Sequence, residues 1–254
     1  MADISSPADA ASPTDFIDNR LLATFPAALR DQLLQSARLI SLDDGDVVIE
    51  HGEDVSRSLF PLGRCAISLS AQLEGGRSIE VTSIGSEGAI GGIVSCGHSP
   101  AFARGLVLMP GKALAVPMEV IEQVKASSGH LRNIFCRYAD YLLAQIMQSS
   151  ACNAFHAIEQ RTARWLLTAQ DRAGDRLELT QEMLARLLGV QRTTINAVIG
   201  RLQDEKQVTV RRGAIEITDR AGLLRRACSC YDSIQKHFGD IIGASGSGGS
   251  EGCD

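Results

Sequence analysis

Apolar residues change their spacing along the chain, and the changes predict helical, then extended, then helical segments. Over 19–37, leucines recur on one side of a helix. From Leu39 to Val116, short apolar runs alternate with polar residues, and turn residues recur about every ten positions, as in an antiparallel sandwich or barrel. Helical spacing returns at about 117 and continues over 128–152. The pattern therefore predicts a β domain followed by a long helix.

The long helix carries an apolar stripe that needs a partner surface. Over 128–152 it would be about 37 Å long. The stripe fits the same helix of a second copy, which we favour, or the β domain of the same chain. The residues predicted to form a dimer seam are Leu131, Ile134, Phe135, Tyr138, Leu142, Gln145 and Ile146.

Residues 180–202, TQEMLARLLGVQRTTINAVIGRL, predict two short helices joined at a glycine. Thr180 stands where a helix N-cap belongs, and Gly189 supplies the positive φ that ends the first helix. The second helix runs from about Arg192 to Asp204 with its larger apolar residues inward. These offsets are typical of a helix-turn-helix. A plain helical hairpin with a polar face is the competing interpretation, which the flanking sequence disfavours.

The outward face of the second helix and a following hairpin carry the side chains that suit DNA. Arginine suits guanine, asparagine and glutamine suit adenine, and threonine suits phosphate or the thymine methyl group. The runs VTV and AIEIT predict a hairpin wing with two arginines at its tip. The candidate DNA contacts are Thr180, Gln181, Gln191, Arg192, Thr193, Thr194, Asn196, Arg201, Arg211 and Arg212.

Charge is distributed unevenly, in a way that fits contact with DNA through one region. The whole chain has a net charge of −5. Residues 156–226 contain 13 Lys and Arg against 9 Asp and Glu, a balance of +4, which leaves −9 for the remainder. The acidic total argues against a general nucleic-acid coat protein, whereas a basic segment on an acidic body fits a partial contact with a polyanion.

The order of these segments resembles the cyclic-AMP receptor protein and fumarate–nitrate regulator (Crp/Fnr) superfamily of bacterial transcription factors. The matching stretches are GDVVIEHGEDVSRSLFPLGRCAISL and LTQEMLARLLGVQRTTINAVIGRLQDEKQVTV, and the resemblance covers about 20–230. It implies an α+β fold with an N-terminal antiparallel β-roll of the cyclic-nucleotide-binding type, a long dimerisation helix and a C-terminal winged helix-turn-helix. It also implies a homodimer on a near-palindromic DNA operator, with half-sites about 34 Å apart, and RNA polymerase as a further partner.

The small and polar composition of both ends predicts two disordered tails, and the resemblance sets the expected domain boundaries between them. They are a disordered tail at 1–18, a β-roll sensor domain at 19–127, a dimerisation helix at 128–154, a winged helix-turn-helix domain at 155–238 and a disordered Gly/Ser-rich tail at 239–254.

Departures from the family pattern affect the expected ligand. Gly92 stands where cyclic-nucleotide-binding members carry glutamate, and Phe102 and Ala103 replace the Arg-Ser pair that holds the cyclic phosphate. A buried phosphate needs a guanidinium and N–H donors, so we expect no tight cyclic-AMP binding. No cysteine precedes Cys65, which argues against the N-terminal iron–sulfur cluster of the oxygen-sensing members. The candidate effector pocket consists of Ile90, Gly91, Gly92, Phe102 and Arg104.

Several alternatives for control stay open at this stage. The roll could sense another small molecule, a nucleotide or haem, for which His51 and His98 are candidate ligands. A degenerate sensor could instead be controlled by abundance, by a partner protein or by a modified cysteine such as Cys96. In the recognition helix, Thr193 and Ala197 replace an acidic residue and an arginine of the family pattern, so we expect a different operator.

The remaining chemistry of the sequence is sparse. Cys228 and Cys230 form a C-x-C that we interpret as incidental thiols, because no second Cys/His pair at ligand spacing accompanies it. We therefore predict no metal site and no cofactor. No catalytic grouping or phosphate loop stands out, which argues against an enzyme. Without a signal peptide or a run of about 20 apolar residues, we expect a cytoplasmic protein that does not contact membranes.

Overall fold

A computed structural model describes residues 9–74, 78–92 and 100–242. The N-terminal half contains two four-stranded antiparallel sheets. The first has the order β1-β2-β8-β4 and contains β1 (Asp9–Ala10), β2 (Arg38–Leu42), β4 (Arg57–Leu62) and β8 (Gly111–Pro117). The second has the order β3-β7-β5-β6 and contains β3 (Val47–Ile49), β5 (Ala66–Gln72), β6 (Ser78–Ile84) and β7 (Arg104–Met109). This pair of sheets confirms the predicted antiparallel β domain, called the roll below. The residues EGG at 74–76, which suit a hairpin turn between β5 and β6, lie largely outside the described residues.

Helices precede and follow the roll, and a smaller sheet lies near the C-terminus. The first helical segment is divided at Pro26 into α1 (Arg20–Ala23) and α2 (Ala27–Leu34). The later helices are α3 (Met118–Ser127), α4 (Gly129–Phe155), α5 (Ile158–Ala173), α6 (Gln181–Leu188), α7 (Arg192–Asp204), α8 (Arg220–Arg226) and α9 (Cys230–Ile241). A three-stranded sheet of order β10-β11-β9 contains β9 (Arg176–Leu177), β10 (Val208–Arg211) and β11 (Ala214–Ile217). None of the helices described here is long and apolar enough to cross a membrane.

The fold extends into both segments that were expected to be disordered tails. Phe16 is fully buried in the core, and Asn19 caps α1 while its amide donates to the carbonyls of Pro61 and Gly88 at 2.9 and 2.8 Å. The expectation of disorder to residue 18 is therefore wrong for residues 9–18, because β1 pairs with β2 and one aromatic residue anchors a segment whose average composition is polar. At the other end, α9 continues past 238, since Phe238 packs on Tyr141 with ring centroids 4.8 Å apart and Ile242 is buried.

The apolar stripe of α4 faces the roll of its own chain, which corrects the predicted dimer seam. The buried members are Leu131, Ile134, Phe135, Tyr138 and Leu142, all within the core that α4 shares with the roll. Tyr138 fixes this orientation, because its hydroxyl bonds to the N–H and carbonyl of Ala89 at 2.8 and 2.9 Å. Gln145 accepts a hydrogen bond from Thr82 on β6. Of the predicted seam, only Ile146 keeps a substantially exposed side chain.

Candidate nucleic-acid interface

The pair of helices α6 and α7 has the geometry of a helix-turn-helix. Thr180 caps α6, because its hydroxyl accepts a hydrogen bond from the N–H of Met183 at 3.1 Å. Gly189 ends α6 in the left-handed region with φ +67° and ψ +35°, and its N–H donates to the carbonyls of Ala185 and Arg186. Val190 donates to the carbonyl of Ala185. The chain therefore turns within three residues and begins α7 at Arg192.

The inner faces of the two helices form one core with α5 and the small sheet. Leu184, Ala185 and Leu188 of α6 are buried. Four residues of α7 are buried opposite them, namely Ile195, Val198, Ile199 and Leu202. These are the positions that the sequence pattern placed inward. Burial of this face leaves the other face of α7 to solvent.

The outer face near the N-terminal end of α7 gathers the predicted polar readers. Gln191, Arg192, Thr193 and Asn196 are exposed, and Thr194 is half-buried. The Arg192 guanidinium lies 3.6 Å from the Glu182 carboxylate, which holds it beside the start of the helix. Gln191 is the N-cap residue but makes no side-chain capping bond. The first turn of α7 is thus uncapped by a side chain, and helix N-termini of this kind attract phosphate.

The other predicted DNA contacts lie around the N-terminal end of α7. Thr180 is exposed beside the half-buried Gln181, but its hydroxyl is already engaged in the cap. Arg201 pairs with Glu159 of α5, and it lies about 13 Å along the helix axis from Arg192. The β10–β11 hairpin forms the predicted wing, with Arg211 and Arg212 exposed at its tip and Arg211 3.6 Å from Glu216.

The helix-turn-helix domain packs on the roll of the same chain through β6. The Trp165 indole N–H donates to Glu80 at 2.8 Å. Arg172 pairs with Glu87 at 2.5 Å and donates to the hydroxyl and carbonyl of Ser83 at 2.6 and 2.7 Å. Sequence reasoning missed Glu80, Glu87 and Arg172 because α5 and its partners on the roll are about 85 residues apart and share no spacing pattern.

The pKa values of the two carboxylates at this contact shift in opposite directions. Burial raises the pKa of Glu80, and the hydrogen bonds from Ser68 and Trp165 only partly oppose it. Burial also acts to raise the pKa of Glu87, but the Arg172 charge and the hydrogen bonds to the carboxylate outweigh it, so that this pKa is lowered. Glu87 is consequently the ionised partner of a buried ion pair.

The described residues of the predicted effector pocket have different surroundings. Ile90 is buried in the roll core, and a side chain at Gly92 would collide with Met118, whose terminal atoms lie about 2 Å from a Cβ built there. Phe102 is 82% exposed. Arg104 pairs with Glu50 at 3.2 Å. The effector pocket therefore stays a prediction, and Cys96 and His98 lie outside the described residues.

Comparison with known families identifies the C-terminal domain. The family of Crp-like helix-turn-helix domains matches residues 160–226, which include α6, α7 and the wing. This region is a Crp-like helix-turn-helix domain. A curated relative, the HTH-type transcriptional regulator Cmr of Mycobacterium tuberculosis, is 44% identical over 52 residues, 20% of this chain and 21% of that protein. The chain thus matches about a fifth of the length of this relative.

Solved structures extend the likeness to the whole fold. A Crp/Fnr-family structure from Eubacterium rectale has a TM-score of 0.61 at 19% identity and covers 81% of this chain and 96% of its own. CLP of Xanthomonas campestris, described as a c-di-GMP responsive global regulator, has a TM-score of 0.62 at 15% identity, with coverages of 76% and 100%. The chain has the Crp/Fnr fold, which confirms the predicted β-roll, long helix and winged helix-turn-helix.

Substitution of Gly189 in the Crp-like domain should destabilise the turn. A Gly189→Ala change places a Cβ in the left-handed region and 3.0 Å from Ile79 on β6. We expect the free energy of unfolding to fall by about 1–2 kcal/mol. Urea denaturation followed by fluorescence of Trp165, the only tryptophan, measures this.

Gly200 supplies the matched control for this substitution. It lies inside α7, with no heavy atom within 4 Å of a Cβ built there. The Gly200→Ala change should therefore raise the free energy of unfolding by about 0.5–1 kcal/mol. Equal effects of the two alanines would show that the turn does not depend on glycine.

The cysteines at the end of the Crp-like domain correct one sequence interpretation. Cys228 and Cys230 lie beside Cys152 and His156, with one ligand atom of each residue within 4.8 Å of the others. The C-x-C is therefore accompanied by a second Cys/His pair. That pair has the C-x3-H spacing of one helical turn, which could have drawn attention to it.

Proposed function

We propose that the chain is a homodimeric DNA-binding transcription regulator of the Crp/Fnr type that binds a near-palindromic operator. The observation that carries the proposal is the exposed, uncapped start of α7, with Arg192 and Asn196 on its outer face, in a Crp-like helix-turn-helix domain. Regulation at a promoter implies RNA polymerase as a further partner and the cytoplasm as the compartment.

Base and phosphate contacts divide between α7 and the wing in this proposal. Arg192, Thr193 and Asn196 enter the major groove, where arginine recognises guanine and asparagine recognises adenine. The N–H groups at the start of α7 and the wing residues Arg211 and Arg212 contact phosphates, which set the register of the protein on the duplex. Arg201 is the weakest of the predicted contacts, because it pairs with Glu159 far from this end of the helix.

A different face of α4 from the predicted stripe supports the homodimer. Cys136, Asp140, Leu143, Met147, Ser150 and Ala154 recur at alternating steps of four and three residues, and all six are exposed. This is the spacing of a two-helix coiled-coil seam. Leu143 and Met147 supply the apolar centre, with side chains 55% and 63% exposed in the single chain. The small residues Ser150 and Ala154 would let two helices approach closely.

Pairing of two α4 helices would set the distance between the two recognition helices. The roll contacts the Crp-like domain through Glu80, Ser83 and Glu87, so a change in the roll can bias the position of α7. We propose that this coupling responds to neither cyclic AMP nor an N-terminal iron–sulfur cluster. In support, Met118 fills the space beside Gly92 and Glu50 engages Arg104.

Another effector acting through the roll is the second candidate for control. CLP, which has the same fold, is described as responsive to c-di-GMP, so a different nucleotide or small molecule is compatible with this architecture. Haem is also compatible with the roll, since the contact of His51 Nδ1 with the carbonyl oxygen of Phe102, at 2.6 Å, leaves Nε2 available as a ligand. Isothermal titration of the protein with cyclic AMP should detect no binding with a micromolar dissociation constant.

Replacement of Arg192 with alanine tests DNA reading by α7. An operator is first obtained by selecting bound duplexes from a random pool with the unaltered protein. The Arg192→Ala variant should then bind that duplex about 1–3 kcal/mol more weakly in a gel-shift titration, the cost of losing a bidentate guanine contact.

The Arg225→Ala variant controls for the loss of one positive charge. Arg225 lies on α8 and its side chain is 73% exposed, comparable to the 66% of Arg192. We expect its affinity to change by less than about twofold, because an isolated surface charge is screened by salt. Unchanged affinity of the Arg192 variant would remove α7 from the reading surface.

A further inference from the structure

Four metal-binding side chains meet where the long helix joins the Crp-like domain. Cys152 lies in the last turn of α4 and His156 is the C-cap residue of that helix. Cys228 lies between α8 and α9, and Cys230 is the first residue of α9. The three cysteines are buried and the histidine is half-buried. One ligand atom from each residue lies within 4.8 Å of the other three.

The separations between these atoms suit a tetrahedral zinc ion. The Cys152 Sγ and Cys228 Sγ atoms are 3.5 Å apart, and Cys230 Sγ is 3.4 Å from His156 Nδ1. Zinc–sulfur bonds of about 2.3 Å and zinc–nitrogen bonds of about 2.0 Å require tetrahedral edges of about 3.8 and 3.5 Å. These two separations are within a few tenths of an ångström of the ideal edges, and the other four, none longer than 4.8 Å, need to shorten by about 1 Å at most.

We propose that Cys152, His156, Cys228 and Cys230 bind one Zn²⁺ as a structural Cys3His site. Binding releases the three thiol protons to solvent and uses the neutral imidazole through Nδ1, with no change of oxidation state. Four protein ligands close the coordination sphere, which is the arrangement of structural rather than catalytic zinc.

The surroundings of the cluster provide the support that such a site needs. Gln148, one turn before Cys152, donates from its amide to Cys230 Sγ at 2.9 Å, which orients and stabilises a thiolate. Three thiolates and Zn²⁺ leave one negative charge. Arg161 and Arg164 of α5 interact electrostatically with Cys152, and the Nε atom of each is buried without a hydrogen-bond partner among the described residues. Their charges offset that of the complex.

The proposed zinc would fix the junction between α4 and the domain that follows it. Cys152 and His156 belong to the end of α4, whereas Cys228 and Cys230 belong to the segment that leads into α9. Helix α5 begins at Ile158, directly after this junction. The metal would therefore hold the end of the long helix against the C-terminal helices and limit bending at Ala157.

Metal analysis of the full chain tests the proposal. Protein purified without chelators or nickel resin should contain about one zinc ion per chain, measured by inductively coupled plasma mass spectrometry. The Cys228→Ser/Cys230→Ser double variant should lose at least about nine-tenths of it, because two ligands cannot hold structural zinc. The Cys136→Ser variant, which removes an exposed cysteine of α4, should keep the full amount.

Cobalt substitution gives a second readout that does not depend on the double variant folding. Co²⁺ in the unaltered protein should show tetrahedral d–d bands and thiolate charge-transfer absorption. The His156→Cys variant should keep one metal ion and raise the charge-transfer absorption by about one third, since it adds a fourth thiolate.

Any one of the following results would overturn the assignment. One is metal-free protein with a Cys152–Cys228 disulfide in non-reducing peptide mass spectrometry. Another is iron with inorganic sulfide in place of zinc. A third is full zinc content in the double variant, and a fourth is a cobalt spectrum that His156→Cys leaves unchanged.

Discussion

An Arg172→Met variant is expected to lose about 3–5 kcal/mol of the free energy of unfolding. The guanidinium pairs with Glu87 and donates to Ser83 in a contact where both charged side chains are almost fully buried, at 9% and 11% exposure. Methionine keeps much of the side-chain volume, but it leaves the buried Glu87 carboxylate without its positively charged partner. Urea denaturation followed by Trp165 fluorescence is a direct measurement, because that indole lies in the same contact.

Two comparisons separate this ion pair from a general loss of charge. The Arg176→Ala variant removes an arginine from an exposed pair with Glu178 and should leave unfolding almost unchanged. An Arg172→Met/Glu87→Gln double variant should recover part of the loss, since no charge is then left buried. A double variant less stable than the sum of the single changes would contradict this account.

The same pair predicts an acid-labile component of stability. The folded-state pKa of Glu87 lies below its ordinary value of 4.5. The contribution of the pair is therefore complete above about pH 4.5 and is lost as pH falls through the folded-state pKa. This component should be missing from the Glu87→Gln variant.

A Leu143→Glu/Met147→Glu variant is expected to be monomeric and to bind the selected operator at least about 100-fold more weakly. The two side chains are the apolar centre of the exposed seam on α4, and four glutamates would face one another in a dimer. Two linked domains on one duplex gain about 10²–10⁴ in affinity over a single domain, and a monomer loses that gain. Sedimentation equilibrium gives the mass, and a fluorescence titration gives the affinity.

Ile17→Glu is the matched control for the seam variant. The Ile17 side chain is 63% exposed, the same fraction as Met147, but lies outside α4. This variant should remain dimeric with unchanged operator affinity. A dimeric Leu143→Glu/Met147→Glu protein would place the homodimer contact elsewhere.

The helix-turn-helix could be predicted from sequence because its determinants are local. Thr180 caps the next turn, Gly189 takes the left-handed conformation, and the buried residues of α7 follow the helical period. Each of these signals lies within about 20 residues. Exposure of Arg192 follows from the same period, since the opposite face of the helix is filled by the core.

The orientation of α4 could not be predicted, because two stripes on this helix repeat at the same spacing. The stripe through Leu131 and Tyr138 is the more apolar, and the roll covers it. Tyr138 also needs the backbone of Ala89 as a hydrogen-bond partner, and this pairing joins positions 49 residues apart. The dimer prediction used the more apolar stripe, whereas that stripe packs in the core of its own chain.

Contacts between distant parts of the chain explain the other misses. Cys152 and Cys228 are 76 residues apart, so the C-x-C appeared isolated in the sequence. Average composition concealed Phe16 within a polar segment. The effector-pocket residues were chosen from their positions in the family pattern. That pattern does not show that Glu50 pairs with Arg104 or that Met118 fills the space beside Gly92.

The central claim is that two paired α7 helices read one face of DNA. The most direct test is to measure affinity for the selected duplex as the spacing between its half-sites is changed. The account predicts two chains per duplex. It also predicts a loss of at least about 100-fold in affinity when about 5 base pairs, half a helical turn, are inserted between the half-sites. One chain per duplex, or an affinity that the insertion leaves unchanged, would contradict it.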